Sequence, residues 1–177
     1  MSSQNLEFVE SAVRTLILLS ATIALGLSPL GFVQVPGFGG AITFLHLPML
    51  LAATLESPLA AGIVGAGFGV MAGLFFEAPP MAFHIAIRVL AGVAAGLTFS
   101  LFTRTTEEGS KVTRASAAAA VVGTLTNTSL MCLCALMLGI ALPGQMFSVA
   151  FIHGAIELAA ALLVVVPVTI VLGGSRT

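Results

Sequence analysis

Charge is almost missing from long stretches of this chain. Glu56 and Glu77 are the only charged residues between Leu16 and Ile87, and Glu157 is the only one between Ala115 and Ser175. Such runs cannot build a water-facing surface. Soluble domains carry about 25% charged side chains; this chain carries 7%, with 58% hydrophobic residues and a mean hydropathy of +1.15. In water it would expose large apolar patches and aggregate, whereas lipid tails solvate an apolar exterior and require every backbone polar group to be satisfied internally. The expected fold is an all-α integral membrane protein.

Spans follow from the roughly 20 residues needed to cross a bilayer and from the punctuation between apolar runs. A six-helix bundle is expected, with helices at residues 13–27, 42–55, 59–76, 81–102, 115–138 and 146–172, in a single membrane domain covering 1–177. Glu7 and Glu10 precede Arg14, unlike the basic start of a cleaved signal, so the first apolar run is expected to be a retained span. Arg14, the Arg104–Lys111–Arg114 loop and Arg176 all fall on one side of a six-span chain. Basic residues mark the cytoplasmic side, so both termini are expected there. The uncharged loop after the first span, with Pro36, Gly37, Gly39 and Gly40, then faces out.

Several chemistries are excluded. With net charge −1 and no basic tract, nucleic-acid binding has no electrostatic basis. Cys132 and Cys134 sit in an apolar run and are read as buried hydrophobes. The chain has no G-x-S-x-G, H-E-x-x-H or P-loop lysine motif, so it is not expected to be an enzyme or to hydrolyse ATP itself.

Ionisable groups at membrane depth are costly and mark function by default. His84 and Arg88 stand four residues apart in the fourth span, as do His153 and Glu157 in the sixth, and each pair shares a helix face. At about 1.5 Å per residue, Arg88 lies about 10 Å and Glu157 about 16 Å from the outer ends of their spans, a depth similar to that of Asn127 in the fifth. Two readings stand side by side. Arg88 and Glu157 form a structural ion pair, or they line an outward-facing pocket in which Arg88 takes a ligand carboxylate or phosphate and Asn127 and Glu157 bind amides or hydroxyls. His46 opens the second span beside the outer loop and joins the candidate set. A metal site on His84, His153 and Glu157 is chemically permissible, but the spacing gives it little support. Small residues at four-residue spacing (Ser20 and Ala24, Thr22 and Gly26, Gly65 and Gly69) let helices approach closely, within the bundle or against a partner subunit.

These motifs resemble the S components of energy-coupling-factor (ECF) vitamin importers. Leu45-His46-Leu47-Pro48 is similar to the family's H-[IL]-P start of the second span, followed here by Pro58-Leu59-Ala60-Ala61-Gly62 and a glycine-rich third span. Ile87-Arg88-Val89-Leu90-Ala91-Gly92 resembles P-R-I-L-I-G, Gly123-Thr124-Leu125-Thr126-Asn127-Thr128 resembles G-S-L-T-N-T, and Ile156-Glu157-Leu158-Ala159-Ala160 resembles P-E-A-I-V-A-G. Pantothenate- and cobalamin-type S components are nearest in pattern. The resemblance implies a subunit in a bacterial or archaeal cytoplasmic membrane that binds a small vitamin from outside. His46, His84, Arg88, Asn127, His153 and Glu157 would be its binding residues. Ser20, Thr22, Ala24, Gly26, Gly65 and Gly69 would dock it onto a transmembrane coupling subunit driven by two ATP-binding-cassette ATPases. The chain itself would need no cofactor. The alternative expectation is a non-transporting scaffold subunit of an envelope complex.

Overall fold

The structure, a computed structural model, describes residues 3–34, 41–105 and 110–173. Helix α1 spans Ser3–Gly26, strand β1 Phe32–Gln34, strand β2 Ala41–Thr43, α2 His46–Leu55, α3 Pro58–Phe75, α4 Met81–Thr105 and α5 Lys111–Met137. The short α6 (Pro143–Ser148) runs through a π-helical turn (Val149–His153) into α7 (Gly154–Gly173). Among the described residues, five helical segments are long and apolar enough to cross a membrane: α1, α3, α4, α5 and the α6–α7 run from Met146. Their outward faces carry Leu16, Leu59, Leu97, Leu125 and Leu163, all more than half exposed, as an apolar solvent requires.

Two expected spans are corrected. Residues 42–45 do not extend α2 as helix. Ala41–Thr43 pairs antiparallel with Phe32–Gln34, Phe32 opposite Thr43, leaving α2 ten residues long. At about 1.5 Å per residue, α2 covers about 15 Å, half of the hydrocarbon depth. The sixth span is not one regular helix: a π turn interrupts it between α6 and α7. The glycine-rich segment at Pro36–Gly40 and the tail with Arg176 lie outside the described residues.

Helix α3 is capped by Ser57, whose hydroxyl accepts the Ala60 N–H at 3.1 Å, with Pro58 at the first helical position. At Gly65 and Gly69 its glycine face meets the α4 backbone directly. A Cβ on Gly65 would lie 2.4 Å from Arg88 O and one on Gly69 2.4 Å from Ile85 Cα, while Gly92 faces Ala61 O and Gly96 faces Pro58. These pairs run in opposite chain directions, so α3 and α4 form a close antiparallel seam. The core beside it is built from Leu45, Met49, Leu50, Val64, Phe68 and Val165. Helix α2 is joined to α7 at both ends, by His46 Nε2 to Glu157 O at 3.1 Å and by Thr54 Oγ1 to Thr169 Oγ1 at 2.7 Å. At the opposite end from the hairpin, Arg14 Nε of α1 donates to Glu56 Oε1 at 2.6 Å.

Candidate functional site

All six ligand-site candidates from the sequence are buried, and they come together at the hairpin end of the bundle. His46 opens α2, His84 and Arg88 occupy the first turns of α4, Asn127 lies in the second half of α5, and His153 and Glu157 flank the junction of the π turn with α7. Contacts between these helix ends fix the arrangement. Arg88 Nη1 donates to Met131 Sδ of α5 at 3.2 Å, Gly154 of α7 faces the Thr128 side chain of α5, and Glu157 Oε1 accepts the Thr43 backbone N–H of β2 at 2.8 Å. π turns recur at functional sites because they re-aim side chains that a regular helix would space evenly; here the turn ends on His153.

Arg88 is held from three directions. Its Nη1 also donates to His84 O at 3.1 Å, one turn back on its own helix, and its guanidinium carbon stands 4.6 Å from the centre of the Phe68 ring. Cation–π contact stabilises a desolvated guanidinium without consuming its N–H donors. Arg88 and Glu157 are close enough to attract one another, yet no ion pair joins them. The structural Arg88–Glu157 bridge, one of the two readings above, is therefore corrected. The carboxylate instead holds the hairpin through Thr43, because that amide would otherwise be buried without an acceptor.

Among the described residues, the buried side-chain nitrogen and oxygen atoms without a hydrogen-bond partner are both ring nitrogens of His84, Arg88 Nε, Thr124 Oγ1, Asn127 Oδ1, Thr128 Oγ1 and His153 Nε2. Every one belongs to a candidate residue or to a threonine within one turn of Asn127 on α5. Each such atom costs about 1–3 kcal/mol, and their concentration in one place marks the candidate site. Thr124 and Thr128 belong to the fifth-span motif but are not among the expected binding residues. They stand three residues before and one after Asn127, and the i, i+4 spacing of the two threonines on a helix was the available signal.

An aromatic wall closes the hairpin side. Phe32 of β1 stacks on Phe75 at 4.4 Å and meets Phe76 edge-on at 5.4 Å, and Phe76 in turn stacks on His84 at 6.2 Å. Hairpin, α3 end and α4 start are thus joined through one chain of rings.

The residues expected to dock a partner separate into two groups. Ser20 and Ala24 are exposed on α1. Thr22 is fully buried, Gly26 packs on Met71, and Gly65 and Gly69 lie in the α3–α4 seam. The expectation that these four form an open docking face is corrected: the Thr22 side chain is buried, and the three glycines pack within this chain. Among the described residues, no group of three or more His, Cys, Asp or Glu is placed to hold a metal ion, so His84, His153 and Glu157 do not form one.

Comparison with curated proteins gives no match. The family model described as "ECF transporter, substrate-specific component" matches residues 14–169, a stretch that contains the α3–α4 seam, the hairpin and every residue of the polar cluster. With most of its length matched and a buried polar site at one end of a helical membrane bundle, this chain belongs to the ECF transporter substrate-specific component family.

Proposed function

We propose that the chain captures a small water-soluble vitamin or vitamin precursor from outside the cell and delivers it through an ATP-driven complex. As an ECF substrate-specific component it works with a transmembrane coupling subunit and ATPases. The observation that carries the reading is the cluster of unpartnered buried polar atoms around Arg88 and Asn127. A scaffold would brace its helices by pairing these groups, and Arg88 and Glu157 are not paired.

Arg88 takes an anionic group of the ligand, with a donor at Nε that no protein atom uses. Asn127, Thr124 and Thr128 bind amides or hydroxyls, and His84 with Phe76 supplies an aromatic flank. A pantothenate-like molecule carries that combination of groups and is the first candidate. Ser20 and Ala24, exposed on α1, serve as the surface for the coupling subunit. The basic residues Arg14, Lys111 and Arg114 support an orientation with the opposite end of the bundle on the cytoplasmic side, in the cytoplasmic membrane of a bacterium or archaeon.

Mass spectrometry of small molecules retained through detergent purification tests the proposal and names the ligand. Arg88→Ala is expected to weaken binding by about 10- to 100-fold, the worth of a hydrogen bond to a charged group, while leaving thermal stability nearly unchanged. Equal loss of binding and stability, or unchanged binding, supports the scaffold instead.

A further inference from the structure

His46 makes hydrogen bonds at both ring nitrogens, and both partners can only accept. Nδ1 lies 2.6 Å from Thr43 O and Nε2 3.1 Å from Glu157 O, with the ring wholly buried. A neutral imidazole has one N–H and one lone pair. In either neutral tautomer the lone pair would be pressed against a carbonyl oxygen, with no room for water between them. Only the imidazolium donates to both. A buried cation needs a nearby anion, and the backbone that holds His46 supplies one. Thr43, whose carbonyl takes Nδ1, gives its own N–H to Glu157 Oε1 at 2.8 Å, and Glu157, whose carbonyl takes Nε2, carries that carboxylate. Thr43 and Glu157 thus each contact His46 through a backbone oxygen and contact each other through the carboxylate.

The charges at this end of the bundle can now be assigned. The Ala78 and Pro79 carbonyls face His84 without a hydrogen bond to either nitrogen, and Arg88 beside it opposes a second positive charge; His153 has no partner at Nε2, so neither ring is held as a cation. Glu77 is exposed, outside the cluster. His46 and Glu157 cancel, and Arg88, with Phe68 and Met131 against it and no ion pair, remains as a single cation.

We propose that His46 is held as an imidazolium that neutralises Glu157, leaving Arg88 as the uncompensated charge of the pocket, so that the pocket selects a monoanion, a carboxylate, over neutral ligands and phosphate esters. The ligand half of this rests on the reading of the cluster as a substrate pocket. Were His46 neutral, Glu157 would already compensate Arg88, and a neutral ligand would be the electrostatic match. A phosphate monoester, with about −1.5 to −2 charges, would overfill a site with one positive charge to offer.

The test has two arms on the full chain in lipid nanodiscs. Nitrogen-15 histidine NMR at neutral pH reads the charge of His46 directly. Its resonances are assigned by their loss in His46→Gln or, if that variant does not fold, by elimination with His84→Gln and His153→Gln. The expected result is a ring protonated at both nitrogens; a neutral His46 overturns the inference. The second arm measures binding of matched pairs, pantothenate against its alcohol pantothenol and biotin against its carboxamide, with phosphopantothenate as the dianionic probe. The acid of whichever pair binds is expected to bind about 100-fold or more tightly than its neutral partner, since a neutral ligand leaves a buried charge unpaired. Equal binding of acid and neutral partner, or tighter binding of the phosphate ester, overturns the assignment. If no probe binds, the pantothenate-like choice of ligand is what fails, and the NMR arm still decides whether His46 carries its second proton.

Discussion

The α3–α4 seam and the polar cluster under the hairpin share a helix but follow opposite rules. Along the seam, Gly65, Gly69, Gly92 and Gly96 bring backbone against backbone, and nothing polar is left over from a side chain. A few ångströms away on the same helix, His84, Arg88 and their neighbours on α5 keep polar atoms buried and unpartnered. Arg88 belongs to both regions: its carbonyl is what Gly65 packs against, and its guanidinium is the charge of the polar cluster. The difference teaches how a mostly apolar bundle can place one charge accurately. The backbone is fixed where no side chain can move, and the functional group then projects from a rigid element.

The comparison breaks most visibly at Gly69. A methyl group there would stand 2.4 Å from Ile85 Cα and 2.7 Å from His84 O, both backbone atoms that cannot rotate away. Gly69→Ala is expected to destabilise the fold by about 3 kcal/mol or more, beyond the usual cost of overpacking because the strain falls on backbone, and to displace the first turns of α4 with His84 and Arg88. Thermal unfolding in detergent checks this against Gly144→Ala, where an added Cβ meets nothing within 4 Å and no change is expected. A Gly69→Ala protein as stable as the parent would mean the seam is far looser than its contacts indicate.

Much of the seam was legible in the sequence, because glycine and alanine at four-residue spacing announce close helix approach. What such a stripe cannot announce is which surface approaches. Thr22, Gly26, Gly65 and Gly69 carry the same signal as Ser20 and Ala24, yet they pack inside the chain. The site was legible for a different reason: His84, Arg88, Asn127, His153 and Glu157 are conspicuous in apolar helices, and membrane depth allowed few places for them to go. The hairpin was not legible. Ile42 and Thr43 continue an apolar run into α2, and a short run of that kind suits strand and helix alike. Nor could spacing show that Glu157 holds Thr43 rather than Arg88, since that choice depends on a backbone amide more than a hundred positions away, which the sequence pattern does not mark.

A smaller effect sharpens the polar side of the comparison. Glu157→Gln keeps an oxygen that can accept from Thr43 N–H but removes the charge. Hydrogen bonds to charged groups contribute about 1.5–3 kcal/mol against about 0.5–1.5 for neutral ones. Hydrogen exchange at the Thr43 amide is therefore expected to accelerate by roughly tenfold, equivalent to about 1.4 kcal/mol, while amides along the α3–α4 seam keep their protection. Uniform acceleration across both regions would show that the carboxylate supports the whole bundle and not the hairpin alone.

The smallest effect is expected at the far end of α2, where Thr54 Oγ1 meets Thr169 Oγ1 at 2.7 Å. This contact is polar and buried like the site, but neither hydroxyl depends on it. Thr54 also reaches Leu51 O at 3.3 Å and Thr169 also reaches Val165 O at 2.7 Å, so each keeps an acceptor on its own helix when the other is removed. Interhelical hydrogen bonds in membrane bundles average about 0.6 kcal/mol for this kind of reason, since the alternative partner is already at hand. Thr54→Val, with a side chain of the same shape, should cost about that much, and a double-mutant cycle with Thr169→Val should give a coupling of the same size. A coupling several times larger would mean that this pair, and not the His46–Glu157 contact at the other end, is what holds α2 to α7. Polar atoms with a fallback on their own helix fasten a bundle weakly, and those without one are where a ligand has free energy to gain.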